Sequence, residues 1–382
     1  MTTAVLPPLA LYIHIPWCVR KCPYCDFNSH AQQGELPEAD YVAAMLEDLD
    51  QDIGYVSDRA IQSVFIGGGT PSLFSADAYR QLFGGLRQRL RFAEDVEITL
   101  EANPGTLEQG RFAAYRELGI NRLSIGVQSF DPLQLQQLGR IHSGDDARRA
   151  IASAQEAGFD NFNVDLMHGL SGQHRIDALR DLDAAIESGA SHISWYQLTI
   201  EPNTEFYRRP PTLPPEGELA AIQEAGFARL SAAGFQRYEV SAFARPGRQA
   251  RHNLNYWQFG DYLALGAGAH GKITCSDSDI FRYQKTRKPD DYLARQPSRT
   301  ARLGSIDVSD RPFEFLMNAL RLQEGFSEAL FCERSGLSWS SISSQVQKLQ
   351  STGLIEQCGE DYRCTARGAE LLDSVLTTFL PE

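Results

Sequence analysis

Short apolar runs rich in β-branched residues recur through the first 240 positions, each ending in glycine or a polar side chain. Six of them read as strands: residues 10–15, 63–66, 96–101, 122–127, 162–166 and 192–198. Between them, residues 39–53, 76–90, 107–118, 145–156 and 176–188 carry the apolar spacing of amphipathic helices, and a sixth helix is expected at 216–233. Gly119, Gly158, Gly189 and Gly234 stand just past four of these helices, where a left-handed residue closes the last turn. Strands alternating with helices predict parallel βαβ units. Six repeats fit either an open doubly wound sheet or an incomplete (β/α)6 barrel of the TIM type.

The alternation fails after about residue 240. Residues 241–305 read as an irregular connecting segment, in which the basic stretch 282–302 is expected to be solvated surface. From residue 306 helical spacing returns at 313–322, 327–335 and 338–350, followed by a two-stranded wing at 354–358 and 362–365 and a last helix from Ala366. The order predicts a small C-terminal winged-helix-like α+β domain over 306–382, after a barrel domain over 1–240. DNA binding does not follow, because residues 306–382 hold six basic and twelve acidic side chains. A reader of phosphates needs the opposite balance.

Composition narrows the class. Of 382 residues, 42% are hydrophobic and 22% charged, enough apolar material for a real core and too much for disorder. No uncharged apolar run approaches the roughly 20 residues that span a bilayer. The first residues lack the basic and apolar regions of a secretory leader, which points to the cytoplasm. A net charge of −13 speaks against nucleic-acid partners. Seven cysteines remain, and three of them, Cys18, Cys22 and Cys25, lie within eight residues in a C-x3-C-x2-C pattern. Thiolates are soft ligands for zinc or iron–sulfur clusters. Zinc asks for a fourth ligand, for which His14 and His30 are the local candidates. An iron–sulfur cube on three cysteines instead leaves one iron open to a non-protein ligand. Cys275, Cys332, Cys358 and Cys364 are scattered and are expected as free thiols.

Polar residues interrupt the strands at one shared end. Strand 2 runs into Gly67-Gly68-Gly69-Thr70-Pro71, strand 3 ends at Glu101 and Asn103, strand 4 at Gln128 and Ser129, strand 5 at Asp165 and strand 6 at Gln197. The cysteine loop follows strand 1 at that same end. Any one of these side chains fits a satisfied buried polar group, but six on one face match the end where parallel α/β barrels carry chemistry. Arg140 reads either as a carboxylate clamp or as a surface arginine at a helix end.

Tyr12 through Cys18, Cys25-Asp26-Phe27, the GGGTP segment and Gly126-Val127-Gln128-Ser129-Phe130 together resemble the radical S-adenosylmethionine superfamily, in its coproporphyrinogen III oxidase-like branch. The resemblance covers essentially the whole chain. It implies a 4Fe-4S cluster on Cys18, Cys22 and Cys25, with S-adenosylmethionine chelated by the open iron. It further implies that Tyr12, Gly68, Gly69, Thr70, Glu101, Gln128, Arg140 and Asp165 contact S-adenosylmethionine, and that Tyr24 flanks the cluster.

Within that branch two activities compete, an oxidative decarboxylase of coproporphyrinogen III and a heme chaperone. The decarboxylases carry a fourth cysteine where this chain has Phe27, and an extension before strand 1 for which there is little room here. His252-Asn253-Leu254-Asn255-Tyr256-Trp257 resembles the H-N-x-x-Y-W motif associated with heme binding in the chaperones, and the resemblance implies His252 as the heme ligand. A packed, hydrogen-bonded histidine is the plainer reading of that residue, and His270, between glycine and alanine neighbours, is a second candidate. The expected partners are heme as cargo and heme-requiring acceptor proteins, with membrane-associated cytochromes among the candidates; a homodimer is left open. A zinc-stabilised scaffold is the third reading.

Overall fold

The computed structural model describes residues 6–105, 110–275 and 279–381. The six expected strands form as β1 (Leu9–Ile15), β2 (Ile61–Gly68), β3 (Phe92–Ala102), β4 (Arg122–Gln128), β5 (Phe162–His168) and β6 (His192–Gln197). They pair in parallel and in chain order. A doubly wound sheet reverses its strand order at a switch point. This sheet does not, so it is the partial barrel, with no pairing between β6 and β1.

The helices fall close to their expected places: α1 (Glu38–Asp52), α2 (Ala76–Arg89), α3 (Phe112–Glu117), then Gly144–Glu156, Arg175–Glu187 and Glu216–Ala232. The first part of the helix expected at 107–118 lies outside the described residues. Local chemistry sets the starts. Ser75 accepts from the Ala78 amide ahead of α2, and Ser143 and Asp146 form a reciprocal capping box before Gly144–Glu156. The four glycines expected as stops all take left-handed φ, between 78° and 98°. The helices cover the outer face of the sheet, and Leu9, Ile13, Ile66, Leu100, Ile125, Val164 and Ile193 are fully buried in the core.

Residues 241–305 are not an irregular connection. Ala242–Ala244 adds antiparallel to β6, while Asp261–Leu265 pairs in parallel with the free edge of β1. His270–Thr274, Ile280–Lys285 and Thr300–Ser305 then continue that sheet as antiparallel strands. The pattern hides these strands because several of their buried residues are charged. Lys272 lies 3.0 Å from Asp261, and Lys285 lies 2.7 Å from both Asp48 and Asp52 of α1. Such burial is tolerable only because each ammonium is paired. Arg299 is buried as well, on the Tyr292 carbonyl and Glu47. The basic stretch is thus in part interior, not the solvated surface that its composition suggests.

The C-terminal module has helices Arg311–Ala319, Glu328–Ser335 and Ser343–Ser351, and a hairpin of Ile355–Cys358 and Asp361–Cys364. An unexpected short strand, Phe326–Ser327, makes the wing three-stranded. Phe315, Phe326, Phe331 and Val346 form its core, which Phe259 and Ile280 join from the sheet extension. Cys358 pairs with Asp361 and Cys364 with Ile355, so the two thiols do not face each other and are not joined in a disulfide.

Candidate functional site

β1 stops at Ile15 because Pro16 follows, and the chain then folds back on itself. Trp17–Cys18 pairs with His30–Ala31, and the His30 amide donates to the Pro16 carbonyl at 2.7 Å. This short bridge closes a loop that holds all three clustered cysteines. Inside it, the Cys25 amide donates to the Cys22 carbonyl, and Lys21 Nζ donates to the Phe27 and Ser29 carbonyls. The loop sits over the GGGTP turn, whose Gly69 and Thr70 amides donate to the Ile15 and Trp17 carbonyls at 2.8 and 2.7 Å.

Cys18, Cys22 and Cys25 open into one cavity of about 390 Å³ at the C-terminal ends of the strands. Gly68, Gly69, Thr70, Glu101, Gln128, Arg140, Asp165 and Tyr24 line the same cavity. Tyr12 does not; it lines an adjoining cavity, where its hydroxyl bonds to His14 Nδ1 at 2.9 Å. Of the polar strand-end residues, Asn103 and Gln197 also face the cysteine cavity. Ser129 is instead structural. Its hydroxyl donates to Asp181, which also takes the Phe130 amide, both at 2.7 Å. Arg140 is no surface arginine: its guanidinium reaches the Gly126 carbonyl and Asn103 at 2.6 Å, and Cys22 Sγ at 3.5 Å.

Strand periodicity also delivers Ser124, Met167 and Tyr196, which were not singled out from the sequence. Ser124, Gly126 and Gln128 alternate along β4, and Asp165 with Met167 along β5, so all of them point inward. Tyr196 enters from β6, with its hydroxyl 3.3 Å from Asp165. Reading every second residue of each expected strand as inward-facing would have found Ser124 and Tyr196; Met167 lies one residue past the expected end of its strand. Gln128 has a left-handed φ of 68° where β4 bulges against β5. Non-glycine residues hold that conformation at a cost, and such strain gathers at functional sites.

Zinc does not fit. His14 spends both ring nitrogens, on Tyr12 and on the Asn28 carbonyl, and His30 bonds to Asn28. Neither histidine faces the cysteine cavity. Among the described residues, no three such side chains converge as the ligands of a single metal ion do. A cube needs no such convergence, since each thiolate takes a different iron. The cradle is otherwise of the right kind: three thiols, backbone bared at Gly68 and Gly69, two half-buried carboxyls and a guanidinium.

The carboxyls are perturbed. Burial, then the neighbouring Asp165, push Glu101 up to about 7, against the pull of the Gly68 amide, which donates to it at 3.0 Å. Burial also raises Asp165, eased by Ser124 and Asn163. A buried acid with a raised pKa favours the fold when protonated. Its contribution is therefore full below the ordinary glutamate range and lost as pH rises through about 7. Glu101→Gln is expected to stabilise the ligand-free protein by roughly 2–3 kcal/mol at pH 8 and by little at pH 5. Thermal melts at the two pH values check this; an equal gain at both would refute the assignment.

His252 faces neither cavity. It is 1% exposed, its Nδ1 is 3.1 Å from the Ser63 hydroxyl and its Nε2 is 2.8 Å from the Tyr256 hydroxyl. Burial pushes its pKa down to about 3, so the ring is neutral. The motif's aromatics are placed otherwise: Tyr256 and Trp257 line the cavity that Tyr12 lines. His270 opens into that cavity too.

Comparison with known proteins gives the site its context. The radical SAM superfamily matches residues 12–185, and the HemN C-terminal domain matches residues 306–371. The heme chaperone HemW of Escherichia coli is 50% identical over 377 residues, with 99% of each chain covered. HemW of Haemophilus influenzae is 48% identical, again over 99% of each chain. A mouse mitochondrial radical S-adenosyl methionine domain-containing protein 1 is 36% identical over 98% of this chain and 87% of its own. Among solved structures, the coproporphyrinogen III oxidase HemN of Escherichia coli shares the fold, with a TM-score of 0.82 over 98% of this chain and 90% of that one, at 22% identity.

Proposed function

Because the chain belongs to the HemW family of radical S-adenosylmethionine proteins, we propose that it is a heme chaperone, which binds heme and releases it to heme-requiring acceptor proteins. Membrane-associated cytochromes facing the cytoplasm are suitable acceptors. Among the described residues, no helix is long and apolar enough to cross a membrane. The carrying observation is Phe27. It stands where the resembling decarboxylases have a fourth cysteine, and its ring is 62% exposed at the rim of both cavities. The end-to-end match to chaperones supports the same reading.

In this reading Cys18, Cys22 and Cys25 hold a 4Fe-4S cluster, with Tyr24 beside it. Gly68, Gly69, Thr70, Glu101, Gln128, Arg140 and Asp165 hold S-adenosylmethionine, and Tyr12 borders them from the adjoining cavity. Bound together, the two cofactors supply one-electron cleavage of a sulfonium. The protein's own part is positioning. Arg140 suits the carboxylate of the amino acid moiety, and Glu101 with Asp165 suits its ammonium and ribose hydroxyls. The bare backbone at Gly68 and Gly69 lets a ligand lie close. His252 braces Tyr256 from behind, so the H-N-x-x-Y-W motif contributes a wall.

Anaerobic incubation of cluster-loaded protein with coproporphyrinogen III, S-adenosylmethionine and reductant is expected to yield no protoporphyrinogen. Hemin-loaded protein mixed with an apo-hemoprotein is expected to give it up, as read from the acceptor's Soret band. Turnover of the porphyrinogen, or no transfer to any acceptor, would sink the chaperone reading.

A further inference from the structure

The adjoining cavity has a volume of about 690 Å³, inside the range of small-molecule and cofactor sites. It lies between the ends of β1 and β2, the strands His270–Thr274 and Ile280–Lys285, and helix Arg311–Ala319 of the C-terminal module. Phe27, Phe65, Tyr256, Trp257 and Tyr262 give it aromatic walls. Aromatic walls suit a flat, conjugated ligand.

One wall carries the polar chemistry. His270 pairs across the sheet with Gln284, and Gln284 with Arg302; in the next row Lys272 pairs with Arg282. Arg287 lines the cavity just beyond. Lys272 and Arg282 are already engaged, with Asp261 and with Glu314 respectively. Arg287 and Arg302 are exposed and, among the described residues, join no ion pair. His270 is likewise exposed and, unlike His14 and His252, has no hydrogen-bond partner among the described residues. Partial burial of its ring, and then the charges of Arg282, Arg287 and Arg302, lower its pKa. That shift favours the neutral imidazole, the form that ligates a metal.

We propose that this cavity seats heme, with His270 as the axial ligand to iron and with Arg287 and Arg302 holding the two propionates. The assignment rests on the chaperone reading and moves the iron ligand from His252 to His270. It puts the cargo beside the cysteine cavity, since Asp26, Phe27, Gly68 and Glu101 border both spaces.

Hemin titrations of the full-length protein, followed as difference spectra against a protein blank, test it. His270→Ala is expected to move the Soret maximum and weaken binding about tenfold or more, with added imidazole restoring the wild-type position. His252→Ala, which removes the brace behind Tyr256 but no ligand to iron, is expected to keep the wild-type Soret maximum even where hemin binds more weakly, and added imidazole is expected not to restore the affinity. Arg287→Gln with Arg302→Gln is expected to weaken hemin about tenfold while leaving hemin dimethyl ester, which lacks the carboxylates, unaffected. All three side chains are exposed, so melting curves should match wild type. Wild-type protein that binds no hemin would overturn the chaperone reading and the seat together. Wild type that binds while His270→Ala keeps its spectrum and affinity would overturn the seat alone.

Discussion

Cys22→Ala is expected to empty the protein of its cluster. After anaerobic reconstitution, iron and acid-labile sulfide should fall from about four each per chain to near zero, and the brown absorption should vanish. A cube with three protein ligands has none to spare, and the Cys22 sulfur is also the one that Arg140 approaches, at 3.5 Å. Cys18→Ala and Cys25→Ala should behave alike, because burial and hydrogen bonds from Thr70 and Ser29 build those thiols into the same cradle. Cys358→Ser, on the exposed hairpin, is the control and should keep full iron. Iron retained in the Cys22 variant would refute the three-thiol assignment.

Gly69→Ala should be the most damaging single methyl in the site. A Cβ there would meet the Trp17 carbonyl oxygen at 2.5 Å and the Pro16 carbonyl carbon at 2.9 Å. Both are backbone atoms fixed by the pairing that closes the cysteine loop, so no rotamer change relieves the contact. Either the GGGTP turn or the cysteine loop must shift. A cost of about 3 kcal/mol is expected, the upper part of the range for overpacking. Cluster occupancy and S-adenosylmethionine binding should fall with it, because the two segments then part. Gly54→Ala, with nothing within 4 Å, should stay within about 1 kcal/mol of wild type. Denaturant melts of the two variants side by side decide it; equal stability would mean the turn accommodates the methyl.

The barrel was legible in the sequence because its parallel strands are apolar runs bounded by glycine or polar residues, and its helices have one apolar face. The sheet extension was not, because Asp261, Lys272 and Lys285 break the apolar pattern and are buried only through mutual pairing. The cysteine cavity was legible as a set of strand ends. Ser129 is the exception, since only the tertiary fold shows that Asp181 reaches over from a later helix to claim it.

The sequence by itself determined the barrel's repeat, the three-thiol loop and the family, because these depend on local spacing and on residue types that do not substitute for one another. It also singled out Phe27 as the missing fourth thiol. Only the tertiary structure showed how the expected partial barrel is extended, with Asp261–Leu265 and three antiparallel strands added at the free edge of β1. Contacts across the chain also decided the histidines. His252 is enclosed by Ser63 and Tyr256, whereas His270 opens into an aromatic cavity beside arginines from neighbouring strands. A histidine's chemistry depends on what occupies its two nitrogens, and those partners lie far away in sequence.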